Sequence, residues 1–304
     1  MAPLTQEAVQ KWVDDFMKAT SGGGDPKCPT DWKRIEELMS KRCTVVMPGE
    51  PQYKKFDDWK KKATIYYNSF KGAKRTIPAG AIPIVMIGKK DDAEVIVPEE
   101  TKFEWNSGST LAFGNAGLTT TTKSKVVLYH RFTLSSKGEC SWYSPLFAIS
   151  DFKKEELGYE NDSKEITKLY ADWTEEHPLF AAEEIAVQWP VVGKMDKAGL
   201  FSLLKNFGDC KRTVMEGCSP ISMAFLPDKD GKVVHDCIVP VIYTFKWCTA
   251  LNEAFKLSLP DGAQVELRSY DCMKVDRTGI VAADFGKVIS FAPHFDPAVH
   301  IKVL

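Results

Sequence analysis

Apolar residues at helical spacing begin the chain and then give way to alternating, strand-like stretches. Thr5 precedes a run whose apolar residues recur every three or four positions, which predicts a capped helix with one buried face. Asp31 and Asp57 are placed to cap two further helices, and Gly72 to end the third one. From Thr76 onward the spacing is that of strands, predicted at 82–87, 94–105, 125–134 and 141–152. Helices followed by an antiparallel meander indicate an α+β domain.

The same order of residues occurs a second time. Phe70 to Ile84 reads FKGAKRTIPAGAIPI, and Phe207 to Ile221 reads FGDCKRTVMEGCSPI. Downstream, Ile96-Val97-Pro98 is matched by Ile238-Val239-Pro240. This repetition predicts a tandem duplication, with one domain at 1–155 and another at 156–304.

The second copy repeats the predicted elements of the first. A charged stretch at 153–161 is interpreted as the linker, and a helix capped by Ser163 follows, with Tyr170 on its apolar face. Asp196 is predicted to cap another helix. Strands are then predicted at 219–225, 233–247, 263–275 and 279–285.

The pattern of the first copy resembles the nuclear transport factor 2-like superfamily, in particular its SnoaL-like polyketide cyclase branch. The resemblance rests on DWKRIEELMSKRCTVVMPGEP, on a third helix ending in NSFKGAKRTI, and on the four-strand meander. It implies two tandem cone-shaped domains, each with N-terminal helices packed on a curved antiparallel sheet around a pocket. Family members include isomerases, dehydratases, cyclases, carotenoid-binding domains and interaction modules, so the fold does not select one function.

Composition narrows the possible partners. Lys and Arg number 40 against 41 Asp and Glu, so neither a nucleic-acid partner nor an anionic membrane surface is expected. The eight cysteines lack CxxC spacing, and most of them are interpreted as buried thiols in a reducing compartment. No apolar stretch approaches the length of a membrane-spanning helix, and the expected location is the cytoplasm. The five histidines lack metal-binding spacing, so neither a metal nor a cofactor is expected.

Strand alternation predicts which side chains face the helices. On the third strand of each meander, His130 and Asp271 occupy aligned positions and are predicted to point into an apolar interior. The other inward residues of the first copy are Val97, Glu99, Thr101, Phe103 and Trp105. Those of the second copy are His235, Cys237, Val239, Val241, Tyr243, Phe245 and Trp247.

These positions support a hypothesis of proton transfer. Desolvation raises the pKa of a carboxyl and lowers that of a histidine, which brings either group toward acid–base chemistry near neutral pH. His130 would act with Glu99, and Asp271 with Tyr243. The alternative is that these groups are hydrogen-bonded within the core or lie at the solvent-exposed mouth of the pocket. The Asp-Tyr-Asp set of steroid isomerases and the paired histidines of scytalone dehydratases are not matched at these positions.

Two basic pairs are candidates for binding an anion. Lys74-Arg75 and Lys211-Arg212 each follow a predicted helix, and cations are also favoured there by the helix dipole. We therefore interpret both pairs as features of helix ends.

The favoured function is binding of a mostly apolar small molecule, such as a pigment, polyketide or isoprenoid-like compound, in one or both pockets. Phe103, Trp105, Tyr243, Phe245 and Trp247 would supply contact area, with His235 as a polar contact. The alternatives are a cyclase, isomerase or dehydratase, and a non-catalytic scaffold. In the scaffold, the two domains would pair through the outer faces of their sheets, near Ile242 and Thr244.

Overall fold

The computed structural model describes residues 4–47, 51–88, 92–106, 123–147, 170, 174–182, 184–224, 231–278 and 286–304. The chain divides into two compact units, Met1–Gly158 and Tyr159–Leu304. We call them the first and the second unit. The predicted linker at 153–161 and the predicted cap Ser163 lie outside the described residues.

The first unit contains three helices and eight strands within its described residues. The helices are α1 (Gln6–Thr20), α2 (Trp32–Leu38) and α3 (Phe56–Asn68). The strands are β1 (Gly24–Asp25), β2 (Cys28–Pro29), β3 (Met39–Val45), β4 (Phe70–Thr76), β5 (Ile84–Ile87), β6 (Ala93–Trp105), β7 (Lys123–Leu134) and β8 (Cys140–Phe147). Thr5 and Asp31 cap α1 and α2 through side-chain oxygens, which confirms both predictions.

The main sheet of the first unit has the order β3-β8-β7-β6-β4, with β5 also paired to β6. The long strands β6, β7 and β8 form an antiparallel meander, and β3 joins β8 in parallel. The apolar stripe of α1, including Val9, Trp12 and Phe16, is buried in one core with the inward residues of these strands. The unit is thus an α+β domain, as predicted.

The second unit repeats this architecture with additions at the sheet edges. Its helices are α4 (Lys197–Leu204), α5 (Ala250–Phe255) and α6 (Pro297–His300), and a 3₁₀ turn spans Pro178–Phe180. Its strands are β9 (Ala186–Trp189), β10 (Gly193–Met195), β11 (Gly208–Val214), β12 (Ile221–Ala224), β13 (Val234–Lys246), β14 (Gln264–Asp276), β15 (Lys287–His294) and β16 (Ile301–Val303). The sheet order is β10-β9-β15-β14-β13-β11, with β12 on β13 and β16 on β14. Asp196 caps α4, as predicted. The last predicted strand, 279–285, lies outside the described residues.

The strand registers of the two units correspond residue by residue. In the first unit, Val97 lies opposite His130. In the second unit, Val239 lies opposite Asp271. Because one-residue slips would move side chains to the other face, this shared register places His130 and Asp271 at equivalent inward positions.

The predictions for the third helix were wrong at both ends. Phe56 packs against Trp59 and starts α3 after Lys55, so Asp57 lies in the first turn instead of capping it. The helix ends at Asn68, where the Ser69 hydroxyl donates to a carbonyl of the last turn. Gly72 therefore lies in β4 and does not end the helix.

The basic pairs lie on strands and not at helix ends, which corrects that interpretation. Lys74 and Arg75 belong to β4, which pairs with β6, and Lys211 and Arg212 belong to β11, which pairs with β13. Pairing begins at Phe70, opposite Trp105, because the ladder takes over directly after the helix. Strand structure thus starts earlier than Thr76.

Candidate functional site

A buried ionic group surrounds Glu99 in the first unit. Glu99 lies on β6 and is 0% exposed. Nη1 of Arg75 donates to its Oε1 at 2.6 Å, and the hydroxyl of Thr101 donates to the same oxygen. Nε of Arg75 also donates to the backbone carbonyl of Thr20 at 3.1 Å. The guanidinium is therefore held between α1 and the sheet.

His130 contacts the other carboxylate oxygen of Glu99. Its Nε2 lies 2.8 Å from Oε2 of Glu99, and its Nδ1 lies 2.9 Å from the hydroxyl of Tyr143. A carboxylate only accepts hydrogen bonds, so Nε2 carries the hydrogen. The imidazole lies beside Phe132 and Tyr143, with centroid distances of 5.7 and 5.8 Å, and these two rings are 4.9 Å from each other.

Charge pairing sets the protonation state of Glu99. Burial alone would raise its pKa, but the charge of Arg75 and the interactions with His130 and Thr101 outweigh burial and lower the pKa to about 2. Glu99 is therefore ionised across the neutral range. Its partners neutralise its charge and satisfy its oxygens.

A different group surrounds Asp271 in the second unit. Asp271 lies on β14 and is 0% exposed. The hydroxyls of Tyr170 and Tyr243 donate to its Oδ2, and the hydroxyl of Ser269 donates to Oδ1 at 2.5 Å. The two tyrosine oxygens also lie 3.0 Å from each other. Asp271 forms no ion pair within the described part of the chain.

Burial makes Asp271 a weak acid. It raises the pKa of Asp271 well above the usual range, with a smaller contribution from Cys272. The contacts with Tyr170, Tyr243 and Ser269 come from uncharged hydroxyls. Burial therefore favours the neutral form of this carboxyl.

The structure brings together both residue pairs of the proton-transfer hypothesis, Glu99 with His130 and Asp271 with Tyr243. It also adds partners that the sequence reasoning had not assigned to a site: Arg75, Tyr143, Tyr170 and Ser269. Two features of the sequence point to these partners. Ser269 is two residues from Asp271 on the same strand and so faces the same side. Tyr170 lies on the apolar face of a predicted helix, where its buried hydroxyl needs a hydrogen-bond partner.

The aromatic residues predicted to contact a ligand are buried against other side chains of their own unit. Phe103 lies 5.0 Å from Trp105 between ring centroids, and Phe245 is stacked on Phe207 at 4.1 Å. Trp247 packs near Phe255 at 5.8 Å. These rings thus form the aromatic-rich end of each core.

His235 lies away from these rings, at the other end of β13. Its Nδ1 is 3.0 Å from Oγ of Ser222 on β12, and the thiol of Cys237 donates to the same oxygen at 3.3 Å. His235 is 8% exposed, whereas Asp271 is fully buried. His235 therefore lies nearer the surface than Asp271.

Among the described residues, no group of three or more His, Cys, Asp or Glu side chains is arranged to hold a metal ion. No helix within the described ranges is long and apolar enough to cross a membrane.

Comparison with known proteins gives similarity at the level of the fold. No protein-family model and no curated protein matches the chain. A solved SnoaL-like polyketide cyclase from Jannaschia sp. CCS1 is 10% identical, with a TM-score of 0.38, covering 51% of this chain and 100% of its own. An NTF2-like protein from Exiguobacterium sp. 255-15 is 12% identical, with a TM-score of 0.33, covering 45% and 98%.

A third similar structure is SalBIII, an epoxide hydrolase/cyclase-like enzyme with a role in pyran ring formation in the polyether salinomycin. It is 13% identical, with a TM-score of 0.34, covering 48% of this chain and 95% of its own. The resemblance predicted from the sequence is thus found among solved structures, each matching about half of the chain. At these identities the likeness concerns the fold alone.

Proposed function

We propose that the second unit binds a mostly apolar small molecule, with an oxygen atom of the ligand accepting a hydrogen bond at the Asp271 group. The observation that carries this proposal is a fully buried carboxyl surrounded by hydroxyls, whose pKa is raised by burial. Such a group offers a ligand polar contacts without a buried net charge. The 3.0 Å contact between the hydroxyls of Tyr170 and Tyr243 is the one a ligand oxygen would replace.

The first unit is less suited to replacing an internal hydrogen bond with one to a ligand. Glu99 and Arg75 are both buried and charged, and removing either from its partner would leave an uncompensated charge. Its interior is also filled by aromatic rings, with Phe132 lying 4.8 Å from Trp12 and 4.9 Å from Phe16 between centroids. We therefore assign the Glu99 group a structural role and the Asp271 group the ligand.

The binding proposal is tested with 2-naphthol and naphthalene, which differ by a single hydroxyl. Fluorescence titration of the full chain is expected to give a Kd for 2-naphthol about tenfold lower, because one hydrogen bond at a buried acid contributes on the order of 1.4 kcal/mol. Tyr243→Phe and Asp271→Asn should remove this preference.

Tyr270→Phe is the matched control, since Tyr270 is the buried neighbour of Asp271 on the opposite face of β14. Equal affinity for the two compounds, or no binding of either, would contradict the proposal and leave the scaffold hypothesis. Circular dichroism of each variant separates loss of binding from loss of folding.

Proton transfer is a second candidate function, favoured by the raised pKa of Asp271. A carboxyl that holds its proton near neutral pH is suited to donate it to an enolate or alkoxide and to take it back. If a cyclase, isomerase or dehydratase reaction occurs here, a ligand recovered from the purified protein should take up deuterium at carbon when incubated with it in deuterium oxide. Uptake that persists in Asp271→Asn would rule out this role for Asp271.

A further inference from the structure

Two cysteines of the first unit lie side by side in its core. Cys43 on β3 and Cys140 on β8 are both 0% exposed, and their sulfur atoms are 3.8 Å apart. They are separated by 97 positions along the chain. The sulfur atoms of a disulfide are about 2.0 Å apart, so the two thiols need to approach by only about 2 Å to form one.

The backbone around Cys43 is irregular. β3 pairs with β8 at Met39 and again at Thr44, and between these points β3 has four residues where β8 has one. Lys41 and Arg42 in this stretch are exposed. β3 also lies at one end of the strand order of its sheet. Segments with few ladder hydrogen bonds open at a low cost in free energy, so this stretch gives Cys43 access to solvent without unfolding of the unit.

The second unit has valine at the position that corresponds to Cys140. Cys140 lies opposite Leu134 in the first unit, and Val288 lies opposite Val275 in the second. Both partners follow the aligned residues His130 and Asp271 by four positions on their strands. Cys140 and Val288 are each 0% exposed. An apolar side chain thus fills this position in one unit, and a thiol next to a second thiol fills it in the other.

We propose that Cys43 and Cys140 form a reversible redox site, at which a peroxide joins β3 to β8 through a disulfide. The sulfur of Cys43 attacks one peroxide oxygen and becomes a sulfenic acid, while the other oxygen leaves as water. The sulfur of Cys140 then attacks the sulfenic sulfur, the S–S bond forms, and a second water leaves. Two thiols and one hydrogen peroxide thus give one disulfide and two water molecules. The site is independent of ligand binding in the second unit.

The surroundings of the two thiols set the order of these steps. Cys43 lies in the irregular stretch of β3, whereas Cys140 lies on a strand that pairs with β7. The thiol of Cys140 also donates to the carbonyl of Trp142 at 3.1 Å. Burial and the neighbouring Cys43 thiol raise the pKa of Cys140 well above its usual range, which keeps it protonated in the closed arrangement. Cys43 is therefore oxidised first, and Cys140 resolves the sulfenic acid.

The test treats the reduced full chain with hydrogen peroxide, alkylates the remaining thiols in urea and maps the peptides by mass spectrometry. The expected product is a pair of peptides that joins Cys43 to Cys140 and that dithiothreitol separates. In Cys140→Val, which introduces the residue of the second unit, Cys43 should remain a sulfenic acid and react with dimedone. Cys28→Ser changes an exposed thiol and is the matched control, in which the cross-link should form as in the wild type.

The cross-link should also stabilise the protein. It is expected to raise the Tm by about 5–10 °C in the wild type and in Cys28→Ser, and not in Cys140→Val, because it constrains the unfolded chain. Circular dichroism before oxidation shows whether each variant is folded. Recovery of Cys43 and Cys140 as alkylated thiols after peroxide treatment of the folded chain would overturn the proposal. A cross-link that forms only in urea, or one that joins either cysteine mainly to another, would overturn it as well.

Discussion

Glu99 and Asp271 are both fully buried, but the pKa of Glu99 is lowered and that of Asp271 is raised. Glu99 has a cation and an imidazole as partners, whereas Asp271 has hydroxyls alone among its hydrogen-bond donors. Burial favours the neutral form in both cases, and Arg75 reverses the result in one of them. The protonation state of each carboxyl thus depends on its neighbours, and for Glu99 Arg75 contributes most, followed by His130 and Thr101.

This difference predicts opposite effects of pH on stability. The pKa of Glu99 is depressed from 4.5 to about 2, so its contribution is present above pH 4.5 and lost as the pH falls toward 2. The pKa of Asp271 is raised above 3.8, so its contribution is present below pH 3.8 and declines as the pH rises. We would measure the free energy of unfolding in urea at a series of pH values. Glu99→Gln should reduce the loss of stability below pH 4.5, and Asp271→Asn should reduce the loss of stability as the pH rises above 3.8.

Glu99→Gln should also lower stability at neutral pH by about 3–5 kcal/mol, because it leaves Arg75 buried without its counter-charge. Glu216→Gln, which changes an exposed carboxyl, serves as the control. If the free energy of unfolding of the wild type and of Glu99→Gln changed in parallel below pH 4.5, the ion pair with Arg75 would not be lowering the pKa of Glu99.

At the scale of elements, a β-bulge in β4, the strand that follows α3, turns Arg75 toward the interior. Between Lys71 and Lys74, β4 has one more residue than its partner β6, and Gly72 there has a φ of +61°. Strand β11 has the same extra residue, with Asp209 at a φ of +51°. The bulge sets which side chains of β4 face inward, Arg75 among them.

Gly72→Val is expected to destabilise the protein by about 1–2 kcal/mol in urea unfolding, since a β-branched residue is strained at positive φ. No atom lies within 4 Å of an added Cβ, so the cost would come from the backbone and not from a clash. Gly72→Asp should cost less, because Asp209 adopts this conformation in the other unit. Lys71→Val is the control, and an equal loss there would show that the positive φ is not the cause.

Local patterns predicted the first helices and the long strands, whereas the errors arise from contacts that these patterns do not show, including the local packing of Phe56 on Trp59. Thr5, Asp31 and Asp196 cap helices as expected because a cap depends on a few adjacent residues. Alternation likewise identified β6 and β13. Arg75 was misplaced because a bulge conceals the alternation of β4, and Tyr170 becomes part of a site only through contact with a residue 101 positions away.

At the scale of the whole molecule, one α+β framework occurs in two units with different interior chemistry. The first unit contains a buried ion pair and packed aromatic rings, while the second contains a buried carboxyl surrounded by hydroxyls. The pairing of the two sheets near Ile242 and Thr244 stays a prediction. The strands of the two units share one register. We therefore expect any difference in ligand binding between the units to come from their interior side chains.

The equivalence of His130 and Asp271 also limits which substitutions each interior would accept. Placing an aspartate at 130 while Glu99 remains would set two carboxyls side by side, where a 2.8 Å imidazole contact now stands. Val241 corresponds to Glu99, so a glutamate there would bring a second carboxyl near Asp271. Exchanging the two interiors therefore requires the substitutions at each pair of positions to be made together.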